Sequence, residues 1–208
     1  MGLKILAERG TLLVVDKPAG LTVEEIAEQT GWFPVHRLDK ETSGVLLLSK
    51  TQEALEQLQQ EFQQRRVEKR YICLVEGIVK QNSGDVHTLL ARSPADRRKQ
   101  KTYALSEQKE GRREAVTEWK VLQKFEGYTL LEAVPKTGRK HQIRAHMVSI
   151  GHPIAADKLY GFKNQQTPKG LYRQFLHASY LEIRGQKFTS ELPPDLQQVL
   201  NALQPYDN

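Results

Sequence analysis

One cysteine in 208 residues excludes an internal disulfide and a cysteine-based zinc cluster, so the chain must hold itself together through its core. Cys73 lies in an apolar stretch, as a small buried side chain would, and its solitude suits a reducing compartment. Long apolar runs are missing too. Leu12–Val15 and Val45–Leu48 are far too short to span a bilayer. The N-terminal MGLKILAERG carries no apolar signal core, and Leu6 stands where a myristoylation motif needs Ser or Thr. A cytoplasmic protein with no membrane partner is therefore expected. There is no glycine-rich phosphate loop, so no nucleotide cofactor is expected. His141 and His146 are five positions apart, not four with an intervening Glu, so they do not face one side of a helix as metal ligands. No metal is expected either.

What is present is positive charge. Lys and Arg number 31 against 25 Asp and Glu, for a net charge of +6 and a pI near 9.3. Such an excess favours polyanions, because each neutralised phosphate releases counterions. The segment Arg92–Arg113 holds eight basic residues, Arg97, Arg98 and Lys99 among them, against three acidic ones. A charge run alone reads as a solvated loop or hairpin. The sharper reading is an arm that grips an RNA backbone.

The apolar pattern predicts strands over Leu3–Ala7, Leu12–Asp16, Val45–Ser49, Glu68–Val79, Asp85–Leu90, Lys101–Leu105, Ala115–Leu122, Tyr128–Val134 and Ser179–Ile183. Helices are predicted over Gln52–Gln64, Arg139–Ile150 and Pro194–Leu203, the second stopped by Gly151 and Pro153. Strands and helices that do not alternate regularly argue for an α+β fold on a mixed, largely antiparallel sheet with flanking helices. With no linker of convincing length, residues 1–208 are expected to form a single domain, and a monomer is the default.

Two local sequences could carry chemistry. His36-Arg37-Leu38-Asp39-Lys40-Glu41-Thr42-Ser43-Gly44 sits in a loop ahead of a buried strand, where a rigid element can hold a carboxylate as nucleophile, base or electrostatic partner. Standing alone, an R-L-D tripeptide is more simply a turn cap or a surface ion pair. Thr137-Gly138-Arg139-Lys140-His141-Gln142-Ile143-Arg144 opens a predicted helix, whose backbone N–H groups and cations could bind phosphate. Tyr71 is either a core aromatic or a stacking surface for a base. Trp32 and Trp119 read as packing residues.

Together these segments resemble the RluA-type RNA pseudouridine synthases. His36–Gly44 is similar to the catalytic H-R-L-D-x-x-T-S-G motif of that family, and Lys17-Pro18-Ala19-Gly20-Leu21 to its K-P-A-G-L turn. Lys69-Arg70-Tyr71 with Val75-Glu76-Gly77, Thr137–Arg144, Gly151-His152-Pro153-Ile154 and Leu176-His177-Ala178 match further motifs in the family's order. Departures are Lys140 in place of Thr, Ala156 where Gly often precedes Asp157, and Thr22-Val23-Glu24 where a His-Pro pair is common. No N-terminal S4 RNA-binding domain is expected ahead of Lys17.

The resemblance implies a pseudouridine synthase catalytic fold with a central RNA-binding cleft. It implies an isomerase that flips a uridine out of ribosomal or transfer RNA, breaks its glycosidic bond and rejoins the base through carbon 5, without cofactor or metal. Asp39 would be the catalytic carboxylate. Arg144 would pair with it, Tyr71 would stack on the uracil, and Leu176 would line the pocket. Arg37 would be a wedge or phosphate contact, with Arg139, His141, Arg97, Arg98 and Lys99 also on the RNA. The alternatives are a non-catalytic RNA-binding or ribosome-assembly factor of the same fold, and a hydrolase or glycosylase acting on small nucleosides.

Overall fold

The computed structural model of the chain describes residues 3–164 and 166–206. In chain order the strands are β1 (Lys4–Arg9), β2 (Leu12–Lys17), β3 (Phe33–Pro34), β4 (Ser43–Ser49), β5 (Glu68–Glu76) and β6 (Ser83–Arg92). They continue as β7 (Gln100–Tyr103), β8 (Arg113–Phe125), β9 (Tyr128–Pro135), β10 (Leu176–Ile183) and β11 (Gln186–Thr189). The helices are α1 (Val23–Thr30), α2 (Gln52–Gln63), α3 (Gln142–Ser149) and α4 (Pro194–Ala202). The fold is α+β, with mixed and largely antiparallel strand pairing, as expected. The chain forms two compact units. One comprises residues up to Tyr71 with Leu176–Pro193, the other Ile72–Phe175 with the residues from Pro194 onward.

In the first unit the strand order is β1-β2-β4-β10, with β3 paired to β4 and β11 to β10. All these pairings are antiparallel except β4 with β10, which run parallel and meet at Ser43–His177 and Gly44–Ala178. β4 is buried at every position because both of its faces are covered. Val45 and Leu47 pack with Val14, Leu55, Leu58 and Leu181 on the α2 side. Leu46 and Leu48 pack with Leu13, Val15, Val23 and Ile26 on the α1 side. That second helix was not expected. Its start is a capping box, in which Thr22 Oγ1 accepts from Glu25 N at 3.1 Å while Thr22 N donates to Glu25 Oε2 at 2.6 Å. It ends at Gly31 in the left-handed conformation (φ 71°).

In the second unit β9, β8, β6 and β7 lie side by side, antiparallel throughout. The basic segment Arg92–Arg113 is a hairpin of β6 and β7 followed by a short 3₁₀ turn at Leu105–Glu107. α3 begins three residues later than the pattern predicts, because His141 takes a positive φ of 53° that no helix interior tolerates.

His146 of α3 is fully buried. Its Nδ1 lies 2.8 Å from Thr117 Oγ1 and its Nε2 3.1 Å from Thr88 Oγ1, an arrangement suited to a neutral ring. Burial, and to a lesser degree the neighbouring His87, pushes its pKa down to about 4. In the unfolded chain the imidazole protonates below about pH 6.5. Between those values the unfolded state binds more protons, so stability falls as the pH falls. We expect this group to cost roughly 2–3 kcal/mol of stability between pH 7 and pH 4.5. His146→Gln should flatten that part of the curve in denaturant titrations. An acid dependence identical to that of the wild type would refute the assignment.

Candidate active site

Asp39 opens a tight turn in which Thr42 N donates to Asp39 O at 3.0 Å, immediately before the buried strand β4. Its neighbours fix it by pointing different ways. Arg37 is exposed, Leu38 is buried against Leu46, Leu48 and Ala178, and Asp39 is half-buried between these extremes. His36 anchors the motif from the other side. Its Nε2 accepts the Leu47 N–H at 3.1 Å, and its ring stacks on Phe62 at 5.0 Å. Burial, with the charge of Lys69 adding to it, pushes the His36 pKa down to about 3, so the ring is a neutral structural staple at physiological pH. Burial also brings Lys69 down to about 8.

Beneath the loop lies a side chain that sequence reading did not single out. Lys17 is completely buried. Its ammonium donates to the carbonyls of Pro18 (2.9 Å), Lys40 (3.0 Å) and Thr42 (2.9 Å). Two of those carbonyls bracket the residues just after Asp39. Gly20 N also donates to Lys40 O at 3.0 Å, so the K-P-A-G turn and the Asp39 loop are tied together by both backbone and side chain. A buried ammonium is tolerable only when its hydrogens are satisfied, and here that requirement shapes the loop.

Tyr71, in the first half of β5, packs against the same cluster as Leu38. Its hydroxyl is pushed up by burial and, secondarily, by the negative charge of Asp39. Leu176 is buried at the start of β10. Next to it, His177 Nδ1 lies 2.9 Å from Ser43 Oγ while Nε2 lies 3.0 Å from Ser190 O, pinning β10 to the residue that begins β4. Asp39, Arg37, Tyr71 and Leu176 thus all belong to the first unit.

The second cluster belongs to the second unit. Arg144 is buried and holds Asp157 in a bidentate pair, Nε–Oδ2 2.7 Å and Nη2–Oδ1 2.8 Å. Asp157 Oδ1 also accepts from Leu159 N and Tyr160 N, both at 3.0 Å. This partner was not anticipated, although Asp157 lies in a motif that the sequence made visible. His141 lies beside Tyr160, with Nδ1 3.1 Å from the hydroxyl. Arg139 Nε donates to Glu114 O at 3.0 Å.

Gln142 supports this cluster from below. Its carbonyl oxygen accepts from Thr137 Oγ1 (2.6 Å) and Arg139 N (3.0 Å), and its amide donates to Val116 O and Thr117 Oγ1, both at 2.9 Å. With all its bonding capacity used, Gln142 gives the non-helical residues 137–141 the order that their backbone cannot supply. In the basic hairpin Arg97 is exposed. Arg98 pairs with Asp96, whose carboxyl it holds down to about 2. Lys99 Nζ lies 5.9 Å from the Tyr160 ring centroid. Among the described residues no group of three or more His, Cys, Asp or Glu converges as a metal site would require.

Ala156, just before Asp157, has a positive φ of 58°. A left-handed L-residue costs about 1–2 kcal/mol, part of which glycine's extra freedom in the unfolded chain offsets. Ala156→Gly is therefore expected to stabilise the protein by about 0.5–1 kcal/mol in urea titrations. A loss of stability would show that burial of the Ala156 methyl outweighs the strain.

A family model described as RNA pseudouridylate synthase matches residues 11–149. An uncharacterized RNA pseudouridine synthase of Aquifex aeolicus is 39% identical, over 81% of this chain and 59% of that protein. Ribosomal large subunit pseudouridine synthase D of Nitrosomonas europaea is 37% identical, over 97% of this chain and 65% of that protein. The chain spans about three fifths of the length of these curated relatives. Among solved structures, human RNA Pseudouridylate Synthase Domain Containing 4 superposes with a TM-score of 0.76 at 26% identity, covering 95% of this chain and 92% of that one. Human RNA Pseudouridylate Synthase Domain Containing 1 gives 0.83 at 24% identity, covering 99% and 89%, a likeness of fold.

Proposed function

Because the chain belongs to the RNA pseudouridylate synthase family, we propose that it is an RNA pseudouridine synthase that isomerises uridine within ribosomal or transfer RNA. The observation that carries this reading is the way the H-R-L-D loop is built. His36, Leu38 and the Lys17 clamp fix its backbone on a buried strand and leave Asp39 half-buried, next to Leu38, which shares a cluster with Tyr71. A catalytic carboxylate needs that rigidity, since its position relative to the sugar and base sets the rate.

In the proposed reaction the target uridine is turned out of the RNA, at an unstacking cost of a few kcal/mol met by contacts in the pocket. Asp39 acts while the bond from ribose to the base nitrogen breaks, and the detached uracil turns and rejoins through carbon 5. Tyr71 offers its ring to the base, Leu176 lines the pocket, and the exposed Arg37 is the wedge or phosphate contact that holds the RNA distorted. The second unit's roles are assigned from its motifs. Arg144 is the active-site arginine, while Arg139, His141 and the hairpin residues Arg97, Arg98 and Lys99 grip the phosphates. We further propose that the protein works as a monomer in the cytoplasm. No helix among the described residues is long and apolar enough to cross a membrane.

The test is to incubate the purified protein, without added metal or nucleotide, with total RNA from a strain lacking its gene. Pseudouridine is then mapped by carbodiimide treatment and primer extension. Relatives named for the ribosomal large subunit make that RNA the first to examine. New pseudouridine at discrete uridines is the expected result. Binding without modification would instead favour an RNA-binding or assembly factor.

A further inference from the structure

The segment Lys158–Leu181 contains no Asp or Glu, yet it carries Lys158, Lys163, Lys169 and Arg173. Arg173 is half of a buried-side ion pair with Asp195 at 2.7 Å, whereas the three lysines are exposed. Two large aromatic side chains are exposed in the same segment. Phe162 has 51% of its surface in solvent and Tyr172 has 83%, the highest among the large hydrophobic residues of the described chain. Keeping a tyrosine ring in water forgoes the burial that normally stabilises it.

The segment's described residues are nevertheless tied to the second unit at several points. At its start, Asp157 O accepts from Gly161 N at 2.7 Å and Tyr160 is buried. In the middle, Tyr128 Oη donates to Gln166 O at 2.7 Å. Just before Tyr172, Pro168-Lys169-Gly170-Leu171 closes a tight turn, with Leu171 N donating to Pro168 O at 3.0 Å and Gly170 at φ 86°. Both ends of that turn, Pro168 and Leu171, are buried. Beyond it, Phe175 N donates to Ala155 O at 3.0 Å. The turn therefore projects Lys169 and Tyr172 outward from an anchored base.

We propose that the Lys158–Tyr172 segment, which touches the basic hairpin at Tyr160, extends the RNA-contact surface beyond that hairpin, with Tyr172 stacking an unpaired base while Lys158, Lys163 and Lys169 meet the flanking phosphates. The inference rests on the reading of this protein as one that acts on RNA. An exposed aromatic interleaved with cations and free of carboxylates fits a single-stranded or looped RNA, because every base offers a face for stacking. An acidic peptide would satisfy the lysines but would leave the aromatic rings without a partner.

The experiment compares wild type, Tyr172→Ala, Tyr172→Phe and Lys169→Ala on deproteinised large-subunit ribosomal RNA and on bulk transfer RNA. It measures the dissociation constant at several salt concentrations, together with kcat and KM for pseudouridine formation. Tyr172→Ala should weaken binding and raise KM roughly tenfold, within the range expected for one lost base–aromatic stack, with kcat unchanged. Tyr172→Phe should match wild type, and Lys169→Ala should lower the slope of log K against log salt by about 0.7. Melting temperatures should not move, since the ring packs on little. If wild type modifies RNA and Tyr172→Ala has the same KM and dissociation constant, the surface is wrong while the enzymatic reading stands. If wild type binds RNA without modifying it, the enzymatic reading fails. The surface is then judged on binding: weaker binding by Tyr172→Ala upholds it, and equal binding overturns it.

Discussion

Asp39→Asn protein should fold, bind its RNA and form no pseudouridine, with a fall in rate of about 10⁴-fold or more, the order expected when a group at the reacting centre is removed. Asparagine keeps the size of the side chain and leaves intact the backbone bond from Thr42 N to Asp39 O that closes the turn. What it removes is the negative charge and the carboxylate's ability to act as nucleophile or base. The comparison is informative because Leu38, His36 and Lys17 hold the loop on either side of Asp39. Single-turnover conversion by the two proteins, with RNA binding measured alongside, separates chemistry from docking. Equal conversion by both would remove Asp39 from the reaction altogether.

Gly44→Ala should have the largest effect on the fold, a loss of at least about 4 kcal/mol in a urea titration, a size that single substitutions reach only through a severe local conflict. Gly44 sits at φ 114°, outside the range that L-residues ordinarily use. A Cβ placed there would lie 2.2 Å from Ala178 O and 2.7 Å from Ala178 C and N. All three are backbone atoms of the parallel neighbour β10, so relief requires the strands to separate. Separation would also break the adjacent bond between Ser43 and His177 and displace the loop that delivers Asp39. Gly10→Ala serves as the control. Gly10 is also left-handed, at φ 60°, but a Cβ there meets nothing within 4 Å, so only about 1 kcal/mol should be lost. If the two variants unfold at the same urea concentration, close approach at Gly44 is not what constrains the residue.

Much of the fold was legible because burial and periodicity agree along most of the chain. β4 announced itself as a continuous apolar run, and α2 as a helical stripe of Leu55 and Leu58 behind the Thr51 cap. α1 was missed although its signal was present, in the spacing of Thr22 and Glu25. With three Glu and one Gln in eight residues, α1 shows only a narrow apolar face, and Val23 and Ile26 alone carry its burial. The two-residue β3 and the four-residue β11 are too short to have a period at all. The late start of α3 depends on one left-handed residue, His141, which composition does not reveal.

The chemical site was visible as motifs, and its supports were not. Asp39 and Arg144 could be chosen because charged residues in unusual local sequences attract attention. Lys17 could be read only as the first residue of the K-P-A-G-L turn, and its burial becomes evident only when the carbonyls from residues 40 and 42 surround it. Gln142 likewise gains its role from β8, whose partners lie 25 and 26 residues earlier in the chain. Contacts of such sequence separation leave no trace in a local pattern.

The three carbonyls around the Lys17 ammonium resemble the oxygen cage that other molecules build around a bound potassium ion. Here the cation is tethered to the chain, so it cannot dissociate, and its local concentration does not depend on the medium. The bend that carries Asp39 is thus organised by a cation of the chain's own, whatever salts the cell supplies. An arginine could not take over this task. Its planar fork spreads five donors over a wider arc than three converging carbonyls can receive.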